Sequence, residues 1–318
     1  TCKKNKDKCP PWQFKAHEIK HDKSKKTIYY KNAWLEIYDK PVIYFPRFFH
    51  PDPTVKRQSG FLMPKFESSS SLGDSLSLPY YKVISDNKDF TFKPKFYNDS
   101  EGLFQNEYRQ VNRNSSHISD FGIKKGNSNS KSHFFSNSLA NLRLSYFENS
   151  QLEVNIETTS NDNYLKSHKI KSQITNNNSL LNSFLILRAD KQNLAIETKV
   201  EAYEDLTKEN TSDRYQYLLP SFELSKNFNN NLNLNSNGYL KNYDTNVFEK
   251  VLINDLKYSS IPRIESRGFV SKFNLLLKNV STESDNSKEY TNKFRSQNYG
   301  SILYDILYPL KKESNTFD

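Results

Sequence analysis

Residues 56–66 read KRQSGFLMPKF, and residues 75–81 follow with SLSLPYY, so one proline stands in each of two successive apolar segments. A proline has no backbone N–H to donate to a β-ladder, and within sheets it is confined to edges, strand starts and bulges. This stretch therefore predicts two neighbouring strands whose pairing is weakened at Pro64 and Pro79. The alternative is that Pro64 only starts a strand and Pro79 only ends one.

The residues beyond this stretch form short segments in which apolar and polar side chains alternate, separated by connectors rich in Asn, Ser and Asp. Examples are DFTFKPKF, QLEVNIET, NLAIETKVEAY, NLNLNSNGYL and KFNLLLKNV. Strict alternation is typical of strands with one apolar and one polar face. No repeat of fixed length links the segments, which argues against a solenoid. The pattern fits a transmembrane β-barrel and equally a soluble β-sandwich or adhesin stalk.

The block at 12–49 has a different pattern, with strands that are apolar on both faces. After the polar turn HDKSKK, one face of a predicted strand carries Tyr29, Ala33, Leu35 and Ile37. The other face carries Tyr30, Trp34 and Tyr38. Strands of this kind indicate a sandwich or jelly roll with an apolar interior. The Pro-rich segment HPDPTVKRQSG at 50–60 then predicts a domain boundary.

Composition narrows the class of protein. Mean hydropathy is −0.84, yet 14% of the 318 residues are aromatic, which disfavours disorder. No apolar run is long enough for a membrane helix, which leaves β-barrels open. Residues 1–60 hold 14 Lys and Arg against 6 Asp and Glu, out of a net charge of +10. Such a basic segment indicates an anionic partner or a solvated loop. The opening TCKKNKDKCPPW has no starting Met, so a fragment is expected.

Residues 17–21 read HEIKH, which matches the zinc-protease motif H-E-x-x-H. That chemistry needs a helix, because only then do His17 and His21 reach one metal ion while Glu18 activates its water. In a strand the two histidines would lie about 13 Å apart. No third ligand, nucleophile elbow or phosphate-binding loop accompanies the motif. We therefore expect no catalysis and no cofactor, and keep a zinc metalloprotease as the less favoured alternative.

Several motifs follow one another in a fixed order: the Trp12-led strand, HD at 21–22, NAWLEI, PVIYFP, KRQSGFLMP, LPYY and EYR. In this order they resemble the LptD family of lipopolysaccharide-assembly proteins, also called OstA or Imp. The resemblance is dense over residues 10–110 and thin afterwards. It implies an all-β chain in which the end of a periplasmic β-jelly roll, residues 1–58, continues into the first part of a large outer-membrane barrel, residues 59–318.

The resemblance also implies a function and partners. Proteins of this family pass lipopolysaccharide sideways between the first and last barrel strands, with the lipoprotein LptE as a plug and LptA as the periplasmic bridge to the jelly roll. Pro64 and Pro79 match the prolines of the family's first two strands, so a lateral gate is expected there. The acyl-chain path would be lined by Tyr29, Ala33, Leu35 and Ile37.

The resemblance leaves the two cysteines ambiguous. Cys2 matches a jelly-roll cysteine that bonds to a cysteine near the end of the barrel, Cys9 competes for that role, and a local Cys2–Cys9 disulfide is the third possibility. Two cysteines are too few for a disulfide scaffold or a structural zinc site. The rival functions are a porin-like barrel in the outer membrane and a single-strand nucleic-acid binder that stacks bases on Tyr and Phe.

Overall fold

The computed structural model describes residues 12–37, 40–55, 57–69, 72–98, 101–126, 129–175, 177–209, 213–244 and 246–309. The chain divides into two compact units. The smaller unit holds residues up to Phe61 together with Tyr81–Val83, and the larger unit holds the rest. The assignment of residues 1–58 to a jelly roll and of residues 59–318 to a barrel stays a prediction.

The smaller unit contains one antiparallel sheet in the order β1-β2-β3. Its strands are β1 (Trp12–Asp22), β2 (Thr27–Ile37) and β3 (Lys40–Pro51), followed by the short β4 (Gly60–Phe61). The β1–β2 turn is fixed by Asp22, whose Oδ1 accepts hydrogen bonds from the backbone N–H groups of Ser24 and Lys25, both at 3.0 Å. This Asx-type turn explains why the polar HDKSKK stretch ends one strand and starts the next.

A single residue exchanges the faces of β2. Asn32 has φ +51°, a left-handed conformation that Asn tolerates better than most residues. Ala33 pairs with Phe45, and Tyr30 pairs with Phe48, yet the rings of Phe45 and Phe48 lie 5.6 Å apart on one face. Strict alternation would put Tyr30 and Ala33 on opposite faces. The left-handed residue between them brings both to the same face.

The larger unit is a succession of antiparallel strands, each paired with its neighbour in sequence from β8 to β17 and then with β19 and β20. Its strands are β5 (Lys65–Ser69), β6 (Gly73–Ser77), β7 (Tyr80–Ser85, shared with the smaller unit), β8 (Lys88–Tyr97), β9 (Gly102–Val111), β10 (Ser115–Lys125), β11 (Lys131–Asn141), β12 (Asn149–Thr159), β13 (Leu180–Lys191), β14 (Leu194–Asp205), β15 (Tyr215–Asn227), β16 (Leu232–Tyr243), β17 (Val247–Ser259), β18 (Arg263–Ile264), β19 (Val270–Asp285) and β20 (Arg295–Leu307). The predicted all-β class is confirmed.

From β8 to β14 the two faces of the sheet differ in chemistry. The register aligns the aromatic and aliphatic side chains of neighbouring strands on one side, which we call the apolar face. Its members include Phe92, Phe104, Phe121, Phe134, Val154, Ile156, Leu185 and Val200. The opposite, polar face carries paired charges such as Lys93 with Glu107, whose Nζ and Oε2 lie 2.9 Å apart. The alternation seen in the sequence therefore produces two continuous surfaces.

The connection between β12 and β13, residues 160–179, packs on the polar face. It contains one short helix, α1 (Tyr164–Ser167), and both Tyr164 and Leu165 are fully buried. The cluster around them is the main apolar core of the unit. It comprises Tyr97, Leu103, Phe135, Tyr164, Leu165, Ile170, Leu181 and Leu206, with Leu72 and Ile174 packed against it.

In the part of the chain that the structure describes, no helix is long and apolar enough to cross a membrane.

Candidate functional site

Pro64 and Pro79 both lie outside regular strand, at two breaks that face each other. Pro64 is exposed between β4 and β5, and Pro79 is buried between β6 and β7. The N–H of Leu62 donates to the carbonyl oxygen of Pro79 at 2.8 Å. The regular register starts again at Lys65, which pairs with Ser77. We call the two segments Leu62–Pro64 and Leu78–Pro79 the proline breaks.

The numbering of these pairs shows a β-bulge. Between the contact of Leu62 with Pro79 and the pair of Lys65 with Ser77, the first segment has two residues and the second has one. Met63 and Pro64 therefore lie opposite the single residue Leu78. Bulges of this kind bend the strand and leave a residue unpaired. The prolines occupy the positions that their missing donors allow, namely a bulge and the gap between two strands.

Sequence reasoning missed a third proline in the same region. Pro94 is buried within β8, and its carbonyl oxygen accepts a hydrogen bond from the N–H of Leu78 at 3.1 Å. The signal was present in the sequence, because Pro64, Pro79 and Pro94 follow one another at equal spacing. Its meaning depends on register, which places Pro94 directly beside the second proline break.

Two contacts fix the chain on the N-terminal side of the first break. The hydroxyl of Ser59 accepts from the N–H of Val83 at 2.9 Å, and the Nε of Arg57 donates to the hydroxyl of Tyr81 at 3.0 Å. Both contacts lie within the smaller unit. Polar side chains thus support the pairing of β4 with β7 at the point where the backbone ladder is short.

The residues predicted for an acyl-chain path do not all share one face of the smaller sheet. Ala33 is fully buried and Leu35 is half-buried. Tyr29 packs against Phe49 on the opposite face, with ring centroids 6.1 Å apart, and is 38% exposed. The backbone of Ile37 pairs with Trp12 in β1, and its side chain lies outside the described part of the chain. The predicted grouping of Tyr29 with Ala33 is therefore wrong, because Asn32 exchanges the faces between them.

The face that carries Ala33 and Leu35 is lined by aromatic rings. Phe14 stacks on Phe48 with centroids 5.1 Å apart and meets Phe45 edge-on at 6.0 Å. Tyr30 continues the row, 5.7 Å from Phe48. The opposite face is mixed, because Trp34 and Tyr44 pack there at 4.9 Å beside the ion pair of Lys15 with Glu36. The predicted apolar character on both faces therefore holds for one face of this sheet, and charged side chains share the other face with aromatic rings.

The H-E-x-x-H motif does not form a metal site. Residues 17–21 lie in β1, so the helix that would bring His17 and His21 together is absent. The Nε2 of His21 instead lies 2.5 Å from Oδ2 of Asp52. Backbone and side-chain hydrogen bonds from Thr54, with His21 nearby, hold the pKa of Asp52 below its usual value. Among the described residues, no group of three or more His, Cys, Asp or Glu side chains could hold a metal ion. Cys2 and Cys9 lie outside the described residues.

A buried polar cluster, which the sequence did not reveal, joins the 160–179 connection to the polar face. Asp120 is fully buried and accepts two hydrogen bonds from Nε2 of Gln105, at 2.9 and 2.8 Å. The Nε2 of His133 lies 3.2 Å from Asp120, and its Nδ1 lies 3.1 Å from the hydroxyl of Tyr164. The Nδ1 of His168 lies 2.8 Å from the hydroxyl of Tyr97. These buried groups are distant in sequence, so only the register brings them together.

Comparison with known proteins identifies partial relatives, and no protein-family model matches the chain. The LPS-assembly protein LptD of Idiomarina loihiensis is 34% identical over 105 residues, which is 32% of this chain and 13% of that protein. The LptD of Nitrosococcus oceani is 34% identical over 115 residues, covering 36% of this chain and 15% of that protein. The LptD of Shewanella denitrificans is 40% identical over 100 residues, covering 30% and 13%. The chain thus spans about one-seventh of these relatives, and the resemblance to an LptD fragment is confirmed over about a third of the chain.

Proposed function

We propose that this chain is part of an outer-membrane protein that transports lipopolysaccharide and inserts it into the outer leaflet. The partial match to LptD proteins supports this role. The single observation that carries it is the pair of facing proline breaks at the start of a long two-faced antiparallel sheet. The role is transport and assembly, without a catalytic step.

The smaller sheet is the proposed path for acyl chains. Burial of hydrocarbon against apolar side chains is favourable and needs no directional bonding. The aromatic row of Phe14, Tyr30, Phe45 and Phe48, together with Leu35, offers such a surface. In this proposal the smaller unit lies in the periplasm, where a bridge of the LptA type would deliver the lipid.

The larger unit is the proposed membrane wall. Its apolar face would meet lipid, and its polar face would line an interior in which the phosphorylated sugars travel and a lipoprotein of the LptE type sits. Alternation of apolar and polar side chains along strands of about ten residues is the pattern of outer-membrane barrels. The continuous apolar face from β8 to β14 supports this orientation.

The proline breaks are the proposed lateral gate. Each proline removes one donor, and a typical intramolecular hydrogen bond contributes about 0.5–1.5 kcal/mol net. The bond that Pro79 lacks toward Leu62, together with the bulge at Pro64, weakens the pairing of the first strands without separating them. A path for lipid between strands needs such a joint, because fully paired strands would have to lose many bonds at once.

The gate is tested by restoring the backbone N–H groups at positions 64 and 79. In the complete protein, Pro64→Ala and Pro79→Ala together should reduce the amount of lipopolysaccharide at the cell surface, because an N–H at position 79 can donate to the carbonyl of Leu62 and an N–H at position 64 allows the bulge to pair regularly. Pro262→Ala, an exposed proline outside any strand, is the matched control. Normal surface lipopolysaccharide in the double variant would contradict the gate.

The path is tested by photo-crosslinkers placed one at a time from 28 to 36. Positions 30, 33 and 35 should label lipid together, because the exchange at Asn32 puts them on one face. Positions 29 and 34 belong to the other face and serve as controls. Absence of lipid labelling at every position would refute the path.

A further inference from the structure

The third proline lies at the same level of the sheet as the two proline breaks. Leu62 donates its N–H to Pro79 at 2.8 Å, and Leu78, the residue before Pro79, donates its N–H to Pro94 at 3.1 Å. Two backbone hydrogen bonds therefore link three successive strand segments, and both accept on a proline carbonyl. The three prolines lie across the sheet, one in each of its first three strand segments.

The geometry of antiparallel pairing shows which bonds are missing. In such a pair, a residue turns its N–H and its C=O to the same side, and two residues that face each other exchange both bonds. Pro94 accepts from Leu78, so its own missing donor would have pointed at the carbonyl of Leu78. By the same reasoning, the donor that Pro79 lacks would have pointed at Leu62. Each contact is therefore half of a normal hydrogen-bonded pair.

Pairing is regular on the β6 side of this level and between β8 and β9. β6 pairs with β8 through Ser75 with Tyr97, Leu76 with Phe96, and Ser77 with Lys95. β8 pairs with β9 without interruption past Pro94, which lies opposite Phe104. The weakness thus ends at β8 and does not continue into the rest of the sheet.

We propose that Pro94 is the third member of a crease, formed by Leu62–Pro64, Leu78–Pro79 and Pro94, along which the first three strand segments bend. The inference rests on the proposed gate and extends it from the two proline breaks to a line across the first three strand segments. Pro94 is a positioning residue, because it sets how far the gate strands can move and does not itself contact the lipid.

The ends of β5 and β6 away from the crease are anchored. Leu72, in the connection between these strands, packs against the core cluster that contains Tyr97 and Leu103. Ser75 adds a side-chain bond from its hydroxyl to the carbonyl oxygen of Glu67 at 3.2 Å. Bending is therefore confined to the level of the prolines, with the anchored ends as the fixed side.

The test restores the donor at position 94 in the complete protein. Pro94→Ala should slow hydrogen exchange at the amide of Leu78 by about 2- to 12-fold, the range that one net hydrogen bond corresponds to. It should also lower delivery of lipopolysaccharide to the surface, at unchanged abundance of folded protein. Pro94→Val restores the same N–H with a residue that favours strands and serves if the alanine variant does not fold. Pro262→Ala is the control for removing a proline elsewhere.

The outcomes separate this inference from the gate itself. Slower exchange at Leu78 together with reduced delivery supports the crease. Unchanged exchange at Leu78, or slower exchange with normal delivery, overturns the role of Pro94 while Pro64→Ala and Pro79→Ala still report on the gate. If those two variants also deliver normally, the proposed function fails together with the crease.

Discussion

Asn32 shows how the backbone of one residue decides what a strand presents. Its φ of +51° exchanges the faces of β2, and its Oδ1 accepts a hydrogen bond from the hydroxyl of Tyr44 at 2.7 Å. This left-handed conformation costs most L-residues about 1–2 kcal/mol of conformational free energy, whereas it costs Gly little.

We predict that Asn32→Val lowers the free energy of unfolding by about 1–2 kcal/mol, because Val must adopt the left-handed backbone that Asn tolerates. Asn32→Gly should cost less, since it forfeits only the exposed contact with Tyr44. Thermal unfolding of the purified complete protein measures both. Equal stability of the Val variant and the parent would show that the left-handed conformation does not form.

Asp120 is a second residue with an effect beyond its own position. It is fully buried and receives hydrogen bonds from Gln105 and His133. Asp120→Ala removes the acceptor of His133 Nε2 and one acceptor of Gln105, whose Nε2 still donates to the carbonyl oxygen of Lys171 at 3.0 Å. A buried polar group that loses its partner costs about 1–3 kcal/mol. Asp120→Asn keeps one carbonyl oxygen and should cost less. Chemical unfolding of the two variants would test the order, and the reverse order would contradict the hydrogen-bond assignment.

At the scale of an element, the 160–179 connection depends on one histidine, His168, that stays neutral. Burial, with Lys124, Lys131 and Lys95 nearby, lowers the pKa of His168 to about 4, and the opposing effect of Glu101 is smaller. Burial also raises the pKa of the Tyr164 hydroxyl. Neutral His168 can accept a hydrogen bond from Tyr97, and the protonated ring cannot do so at Nδ1.

The pH dependence has a definite sign. In the unfolded chain the pKa of His168 is near 6.5, so between about pH 6.5 and 4 the unfolded state binds the proton more readily than the folded state. Docking of the connection should therefore weaken as the pH falls through this range and stay constant above it. Protease cleavage after the exposed Lys166 and Lys169 measures docking. His168→Asn should reduce this pH dependence, His117→Gln should leave it intact, and equal cleavage at pH 7 and 4.5 in the parent would contradict the prediction.

At the scale of the whole molecule, the two faces of the larger sheet predict opposite tolerance to charge. Leu185 lies on the apolar face, paired with Val154 and Val200. Asn137 lies on the polar face and donates to Glu153 and Asn155. If the apolar face meets lipid, Leu185→Arg costs about 2–4 kcal/mol near the middle of the bilayer.

We expect Leu185→Arg to lower the amount of folded protein in the outer membrane, and Asn137→Arg to have little effect because an arginine there can still pair with Glu153. Membrane fractionation with a folding-sensitive gel shift compares the two. Equal loss from both substitutions would show that the apolar face does not contact lipid.

The sequence alone determined the all-β class, the alternation of apolar and polar side chains along the strands of the larger unit, and the positions of Pro64 and Pro79. These properties are local, because a period of two and a missing N–H are fixed by the residues themselves. The tertiary structure decided that Tyr29 and Ala33 lie on opposite faces of β2 and that Pro94 lies beside the proline breaks. It also decided that Asp120, His133 and Tyr164 meet in one buried cluster. Register and a single left-handed backbone angle set these relations, and both depend on pairing between residues far apart in the chain.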